Sequence, residues 1–233
     1  MRVTIDGPGP LEGHLAVPAD AAGGRVPGVV VLHEAFGLTP DIVTLTDRLA
    51  ARGYLALAPD LFSWGATARC LATAFVGMLT GRGRTIEDVD AARRHLVARP
   101  DCTGRVGVIG FCLGGGFALL AAGRGYDVAA PNYGQLPRHL AEVLRGACPI
   151  VASYGGRDVG LRGAAGRLAA TLTGLDVPHD VKEYPEAGHS FMNRHTGWFA
   201  HLDRVPGVGY RGDDAADAWH RIDAFFDQHL RGG

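Results

Sequence analysis

A cysteine between two glycines, Cys112 in the run 110–114, is the feature that most constrains the fold of this chain. The apolar residues 106–109 before it predict a buried strand, and residues 117–122 after it predict a helix. A strand that turns this abruptly into a helix forces the residue at the turn into a strained backbone conformation. Side chains in place of the flanking glycines would collide with neighbouring backbone. The run therefore predicts a nucleophile elbow with a cysteine at its tip.

Cys112 also has two other interpretations. Free cysteines are often buried structural thiols, and glycine-rich turns between a strand and a helix also bind phosphate groups. The run lacks the Lys-Ser/Thr pair of a P-loop and the spacing of a dinucleotide fingerprint, which disfavours the phosphate interpretation. The N-terminus of the following helix would favour the thiolate form and could hold an oxyanion.

Length and charge exclude several classes of protein. A chain of 233 residues without a low-complexity linker predicts a single domain over 1–233, as a monomer or small homo-oligomer. A formal net charge of −1, with 23 basic and 24 acidic residues interspersed, argues against nucleic acid or a membrane as a partner. The cysteines show no disulfide spacing and the N-terminus shows no signal-peptide pattern, which predicts a cytoplasmic protein. No apolar run approaches the roughly 20 residues of a membrane span.

Apolar runs that predict strands alternate with patterns that predict helices. The strand-like runs are 29–32, 54–57, 106–109, 128–130, 149–152 and 179–184. The helical patterns are 41–52, 85–99, 161–173 and 215–230, the second with Thr85 as its expected cap. Several strands are continuously apolar, as strands covered on both faces must be. The alternation predicts an α/β fold with a mostly parallel central sheet, helices on both faces, and an antiparallel edge hairpin of residues 2–5 and 12–17.

Two further candidates each follow a predicted strand. Asp158 comes after 149–152 and His189 comes after 179–184, which gives the chain order Cys112, Asp158, His189. This is the order of nucleophile, acid and base in an α/β-hydrolase fold. His189 would take the thiol proton or pair with the thiolate, and Asp158 would fix the imidazole tautomer. Taken alone, Asp158 is more typical of an N-cap for a helix from residue 161 onward, and His189 is more typical of a loop histidine.

Glu34 follows the strongest apolar strand, where a hydrolase of this class supplies an N–H of the oxyanion hole. We therefore assign the predicted oxyanion hole to the backbone N–H groups of Leu113 and Ala35. Glu34 faces the elbow in this arrangement, or it caps a turn or pairs with an arginine. The histidines His33, His189, His195 and His201 lack the spacing of a zinc helix, so no metal is predicted.

Taken together, these motifs resemble the dienelactone hydrolase (carboxymethylenebutenolidase) family. The matching segments span nearly the whole chain and are 32–38, 49–54, 58–62, 110–115, 155–158 and 188–191. The resemblance implies a Cys112, His189 and Asp158 triad that opens an enol-lactone through a thioacyl intermediate, without a cofactor. It also implies that Glu34 acts as a switch that helps to deprotonate Cys112 once the substrate arrives.

The chain departs from the family pattern at two positions. Arginines that hold the substrate carboxylate in the family are replaced by Trp64 and Asn193, and Arg69 and Arg194 are nearby candidates to substitute for them. Trp64 and Tyr133, with Trp198 and Phe199, offer flat apolar surface. We therefore expect neutral or aromatic esters and lactones to be preferred over a small anionic dienelactone. Residues 194–213 are either a lid or an irregular surface loop.

Three functions remain open from the sequence. The first is a cysteine-dependent hydrolase that opens a lactone or cleaves an activated ester. The second is an acyl transferase or cyclase of a biosynthetic pathway that uses the same triad. The third is a non-catalytic ligand-binding protein of the same fold, which is disfavoured because the triad, Glu34 and both elbow glycines are all present.

Overall fold

The computed structural model describes residues 1–19, 24–195, 201 and 208–232. Eight strands form one sheet in the order β1-β2-β4-β3-β5-β6-β7-β8. The strands are β1 (Arg2–Ile5), β2 (Leu11–Ala16), β3 (Val26–Leu32), β4 (Leu55–Pro59), β5 (Cys102–Phe111), β6 (Val128–Asn132), β7 (Ile150–Gly155) and β8 (His179–Tyr184). Strands β3 to β8 are parallel, whereas β1 pairs antiparallel with β2 and β2 pairs antiparallel with β4. This confirms the predicted mostly parallel sheet with an antiparallel hairpin at its edge.

Seven α-helices of the described residues surround the sheet. They are α1 (Pro40–Ala51), α2 (Thr67–Thr80), α3 (Arg84–Val97), α4 (Leu113–Ala122), α5 (Leu140–Val143), α6 (Ala164–Gly174) and α7 (Gly212–Phe226). A 3₁₀ turn covers Val159–Leu161, and a π-helical turn, Asp227–Arg231, extends α7. The connection from β3 through α1 to β4 runs in the opposite direction to those that follow. Because such crossovers are right-handed, α1 lies on one face and α3, α4 and α6 on the other. Arg48 of α1 donates to Asp223 of α7 over 3.0 Å, so α7 shares the face of α1.

The central strands are buried because their sequences carry no polar face. All five residues of β4 and all six of β7 are buried, as are residues 27–32 of β3 and 106–111 of β5. Both faces of these strands therefore pack under helices, as their continuous apolar sequences predict. The carboxyl ends of the central strands lie side by side, with Leu32 opposite Gly110 and Phe111 opposite Asn132.

The structure contains two helices that the sequence did not predict, α2 and α5, and it changes the start of α3, α6 and α7. The sequence pattern did not indicate α2, because its buried stripe consists of Cys70, Ala74, Gly77 and Met78 while larger apolar residues face solvent. Helix α3 begins at Arg84, one residue earlier than predicted, with Gly83 at its N-cap. Thr85 is buried inside the first turn and does not cap the helix, so the predicted cap is wrong. Within the described residues, no helix is long and apolar enough to cross a bilayer.

Candidate active site

Cys112 lies at the turn between β5 and α4 in a backbone conformation that is unusual for a residue with a side chain. Its φ is 54° and its ψ is −114°. The Cys112 N–H donates to the carbonyl of Asn132 over 3.1 Å, and the Cys112 carbonyl accepts from the N–H of Gly116 over 3.2 Å. These bonds to β6 and α4 hold the turn in place, and the Cys112 side chain remains partly exposed. The geometry is that of a nucleophile elbow.

The flanking glycines are sterically required. A Cβ on Gly110 would lie 2.0 Å from the carbonyl oxygen of Gly114, and a Cβ on Gly114 would lie 2.2 Å from the carbonyl oxygen of Leu32. Both obstacles are backbone atoms, which cannot rotate away as a flexible side chain can. The elbow therefore packs directly against the end of β3, which brings Cys112 close to the residues that follow that strand.

Asp158 and His189 are brought together as the sequence predicts. The two residues follow β7 and β8, and the distance from His189 Nδ1 to Asp158 Oδ2 is 2.6 Å. The other carboxylate oxygen, Asp158 Oδ1, accepts from the Gly160 N–H over 3.0 Å and begins the 3₁₀ turn. Asp158 is therefore both a cap and the partner of the imidazole, so its orientation is fixed from two sides.

The surroundings of His189 favour its charged form. Burial alone would lower the pKa of the imidazole, but hydrogen bonds to Asp158 and Cys112 and the negative charges of both groups raise it to about 10. The ring of Tyr133 packs edge-on against His189 at a centroid distance of 5.4 Å.

Glu34 is a buried carboxylate with a defined set of partners. Ser190 Oγ donates to Glu34 Oε1 over 2.8 Å, and His195 Nε2 lies 3.1 Å from Glu34 Oε2. The side chains of Glu34 and His195 are only 2% and 3% exposed. Each oxygen of the Glu34 carboxylate therefore has a partner in the segment that follows His189.

His33 has a structural position beside Glu34. Its Nδ1 lies 2.6 Å from the Glu34 carbonyl oxygen, and its Nε2 accepts from the Leu61 N–H over 3.0 Å. Burial lowers the pKa of His33, so the ring is neutral with its proton on Nδ1. These bonds tie the end of β3 to the turn after β4. Among the described residues, no group of three or more metal-ligating side chains is placed to hold an ion.

A cavity of about 360 Å³ opens beside the elbow. It is lined by Cys112 and His189 and by Leu113 and Ala35, the two residues predicted to form the oxyanion hole. The remaining lining residues are Phe75, Met78, Tyr133, Gln135, Asp158, Gly160 and Leu161. Among the described residues that line this cavity, none is an arginine or a lysine.

Asn193 lies beneath the site. It is fully buried, accepts a hydrogen bond from the Tyr133 hydroxyl, and donates through Nδ2 to Asp41 Oδ2 over 2.6 Å. The Arg194 N–H donates to the other oxygen of Asp41 over 3.1 Å. Burial raises the pKa of Asp41, and the bonds from Asn193 and Arg194 partly offset that rise. This series of hydrogen bonds, from Asp41 through Asn193 to Tyr133, connects the first turn of α1 to the cavity wall.

The other predicted substrate-binding residues lie outside the cavity lining. Trp64 donates to the Leu61 carbonyl oxygen over 3.1 Å, with the guanidinium groups of Arg84 and Arg69 at 4.6 and 6.0 Å from its ring centroid. The Arg194 guanidinium stacks on Tyr210 at 4.1 Å. Neither Arg69 nor Arg194 is among the described residues that line the cavity. Trp198, Phe199 and most of the predicted lid at 194–213 lie outside the described residues.

Sequence reasoning missed several residues of the site. Phe75 and Met78 line the cavity from α2, a helix that the sequence pattern did not indicate. Ser190 and His195 hold Glu34, and no spacing rule connects them to it across more than 150 residues. The adjacency of Ser190 to His189 is the one signal in the sequence that could have suggested its place at the site.

A larger cavity, of about 790 Å³, lies at the amino ends of the parallel strands. Residues at the starts of β3 and β5 line it, together with Gly53 just before β4 and four arginines: Arg25, Arg52, Arg105 and Arg231. The elbow is at the carboxyl ends of the same strands, where ligands of open α/β sheets bind. The larger cavity is therefore separate from the triad.

Comparison with known proteins agrees with this geometry. The model of the dienelactone hydrolase family matches residues 11–230. The chain belongs to the dienelactone hydrolase family. A relative in this family, the carboxymethylenebutenolidase of Pseudomonas putida, is 31% identical over 198 residues, which are 77% of this chain and 82% of the relative.

Solved structures show the same fold. A dienelactone hydrolase-like promiscuous phosphotriesterase from metagenomic libraries superposes with a TM-score of 0.81 at 24% identity, covering 99% of this chain and 98% of its own. The dienelactone hydrolase of Anabaena variabilis superposes with a TM-score of 0.71 at 21% identity and the same coverage of both chains. These likenesses show the α/β-hydrolase fold. As a member of the dienelactone hydrolase family, the chain is a carboxylic ester hydrolase of the ester or lactone type.

Proposed function

We propose that this member of the dienelactone hydrolase family opens a lactone or cleaves an ester through a thioacyl-enzyme on Cys112. The observation that carries the proposal is the hydrogen bond between Asp158 and His189 in the cavity that Cys112 also lines, with the thiol at the tip of a strained elbow. A nucleophile, a base within hydrogen-bond reach and a third group that orients the base are the requirements of covalent acyl transfer.

The reaction proceeds in two steps, acylation of Cys112 and hydrolysis of the thioester. The Cys112 thiolate attacks the substrate carbonyl carbon, and the backbone N–H groups of Leu113 and Ala35 stabilise the resulting oxyanion. Collapse of this intermediate breaks the ester C–O bond, and the His189 imidazolium gives its proton to the leaving alkoxide. Neutral His189 then takes a proton from water, the hydroxide attacks the thioester, and the thiolate leaves with the imidazolium restored. Asp158 keeps the proton on Nδ1 throughout, so Nε2 serves as the working atom.

Glu34 acts before the first half of this cycle. Its carboxylate is held by Ser190 and His195, and it follows the strand whose end packs against the elbow. When a substrate enters, Glu34 exchanges these partners and takes the proton of any Cys112 that is in the thiol form.

The lining of the cavity supports a preference for neutral substrates. A buried carboxylate without a cationic partner costs several kcal/mol, and the described lining contains no arginine or lysine. The His189 imidazolium is already paired with Asp158, so it is not free to hold a substrate carboxylate. Neutral esters and lactones, including aromatic ones that pack on Tyr133, are therefore preferred over a small anionic dienelactone.

Trapping of the acyl-enzyme tests the proposal. We expect a neutral aryl ester to add one acyl group to Cys112, detected by mass spectrometry after rapid acid quench. Cys112→Ala should lose at least about 10³-fold in kcat while keeping its melting temperature. The matched control is Cys148→Ala, which removes another partly exposed thiol and should keep full activity.

The acceptor that clears the adduct decides between hydrolysis and transfer. Release of free acid in water supports the hydrolase, whereas an adduct that is stable until an amine or alcohol is added supports a transferase. Near wild-type turnover by Cys112→Ala, or an adduct on another residue, contradicts the mechanism.

The role of Glu34 has its own test. Glu34→Gln keeps the shape and the bond from Ser190 but removes the charge. We expect kcat/KM to fall by about tenfold to a hundredfold, in the range of an acid-base contribution, with little change in melting temperature. Glu183→Gln, on the exposed part of β8, is the matched control. Equal turnover in both variants would remove Glu34 from the mechanism.

A further inference from the structure

Helix α2 presents large apolar side chains to solvent. Phe75 is 47% exposed, Val76 is 60% exposed and Leu79 is 64% exposed. Surface helices normally direct such residues inward and charged residues outward. Over its 14 residues α2 has no acidic side chain, and Arg69 is its sole basic one. Phe75, Val76 and Leu79 form the apolar face of α2. Exposed apolar patches of this kind typically mark binding sites.

The apolar face is continuous with the wall of the active-site cavity. Successive residues of an α-helix are rotated by about 100°, so Met78, Phe75, Leu79 and Val76 follow one another around α2 in steps of about 40 to 60°. Met78 and Phe75 line the cavity. Phe75 is thus shared between the cavity wall and the exposed face. A ligand that leaves the cavity past Phe75 meets Leu79 next, then Val76.

A second exposed apolar residue stands at the same opening. Val159 is 76% exposed and lies in the 3₁₀ turn between two residues that line the cavity, Asp158 and Gly160. Leu161, at the end of that turn, also lines the cavity. The opening is therefore bordered by apolar side chains from two separate elements, α2 and the turn that carries the acid of the triad.

We propose that the apolar face of α2 binds an extended hydrocarbon chain on the acyl side of the substrate. The inference rests on the proposed function, because it places the reacting carbonyl at Cys112 and lets the chain pass Phe75 onto Leu79. The distance from Phe75 to Leu79 along the helix axis is about 6 Å, the reach of several methylene groups. The substrate class is then a neutral ester or lactone with a medium-length apolar chain.

The position of the apolar face favours a substrate chain over a protein partner. Phe75 and Val159 border the opening through which a small molecule must reach Cys112. A second copy of the chain seated there would cover that opening, whereas a hydrocarbon chain fills it from within. The absence of charge on this part of α2 also disfavours a polar or anionic tail as the occupant.

Chain-length dependence tests the proposal. A fully buried methylene is worth roughly fourfold in an equilibrium constant, and a chain on an open surface buries about half of each, so kcat/KM should rise about twofold per methylene. We expect p-nitrophenyl octanoate to exceed the butyrate by on the order of tenfold. Leu79→Asn should lower this ratio by threefold or more. Val97→Asn replaces an exposed apolar residue on α3 and is the matched control, with an unchanged ratio.

A second readout does not depend on turnover. Alkyl methanethiosulfonates react with a thiolate to form an alkyl disulfide and release methanesulfinate. We expect the octyl reagent to label Cys112 at least about tenfold faster than the methyl reagent, and Leu79→Asn to reduce that advantage. Mass spectrometry distinguishes Cys112 from Cys148, whose pKa is raised by burial to about 12.

The outcomes separate the two proposals. If esters are cleaved through Cys112 but neither ratio depends on chain length or on Leu79, the chain site is wrong and the proposed function stands. If no acyl-enzyme forms but octyl labelling is still faster and depends on Leu79, the chain site stands and the proposed function is wrong. Unchanged ratios together with a loss of dimer in Leu79→Asn by sedimentation would assign the apolar face to a second copy and overturn the inference.

Discussion

At the scale of single residues, the site depends on side chains whose backbone is held in uncommon conformations. Cys112, Tyr133 and Ser190 all have positive φ values, of 54°, 39° and 59°. Each lies at the carboxyl end of the sheet and contacts another group of the site. Positive φ costs free energy in a residue with a side chain, and it persists only where the surroundings fix it. The strain is therefore concentrated where side-chain direction matters most.

The charge state of His189 gives a prediction at this scale. Because Asp158 and the Cys112 thiolate are negative, they favour the imidazolium and raise the pKa of His189 to about 10. We expect NMR titration of the ring to show this value in the native enzyme and a lower pKa in Cys112→Ala, where the thiolate charge is gone. The alkaline limb of kcat/KM should accordingly lie well above pH 6.5.

His229 is the internal control for this titration. It lies near the C-terminus, burial lowers its pKa, and its titration should be the same in both proteins. A native His189 that titrates below its ordinary value of 6.5 would mean that the resting pair is a neutral thiol and a neutral imidazole.

At the scale of elements, the junction of β5 and α4 tolerates almost no change. A Cβ on Gly110 would meet the backbone of Gly114 at 2.0 Å. We expect Gly110→Ala to lower the free energy of unfolding by more than about 3 kcal/mol, or to prevent folding, because backbone must move. Urea denaturation followed by circular dichroism measures this change.

A second glycine provides the comparison. Gly166 is exposed in α6 with no atom within 4 Å of its Cβ position, so Gly166→Ala should raise stability by roughly 0.5–1 kcal/mol through helix propensity. Similar effects of the two substitutions would show that contact at the elbow is not what requires glycine there.

Prediction from sequence succeeded for some elements and failed for others for physical reasons. The strands and most helices follow from hydrophobic pattern, because burial on both faces leaves a continuous apolar run. The juxtaposition of Asp158 and His189 follows from the alignment of strand ends in a parallel sheet. Helix α2 reverses the usual pattern, so its contribution of Phe75 and Met78 to the cavity could not be inferred. The Glu34 contacts to Ser190 and His195 are likewise tertiary.

At the scale of the whole molecule, Arg221 connects α7 to the last two strands of the sheet, β7 and β8. Its guanidinium donates to Asp180 Oδ2 over 2.9 Å and to the Asp180 carbonyl oxygen over 2.8 Å, and it also reaches Ser153 and Tyr184. Its side chain is only 11% exposed. Arg221→Met should cost about 2–3 kcal/mol, since the Asp180 carbonyl oxygen and the hydroxyls of buried Ser153 and Tyr184 lose their donor, and lower the melting temperature by roughly 5–10 °C.

An exposed pair between the same two elements is the control. Lys182 of β8 donates to Asp217 of α7 over 2.7 Å, but both side chains are nearly half exposed. Lys182→Ala should change stability by less than about 1 kcal/mol because solvent screens such pairs. Calorimetry of both variants decides the point, and equal losses would argue that burial does not set the strength of the Arg221 contacts.

Glu34 and Ser190, which are hydrogen-bonded to each other, are 156 residues apart, so the site is completed only late in the synthesis of the chain. A chain emerging from the ribosome exposes Cys112 before it has made Asp158 or His189. Since domains fold as units, that thiol has the ordinary reactivity of a free cysteine until β8 joins the sheet and delivers the base. Nascent and prematurely ended chains therefore lack the enzyme's reactivity toward acyl donors. Fast labelling of Cys112 by an acyl donor indicates that the chain has been completed and has folded.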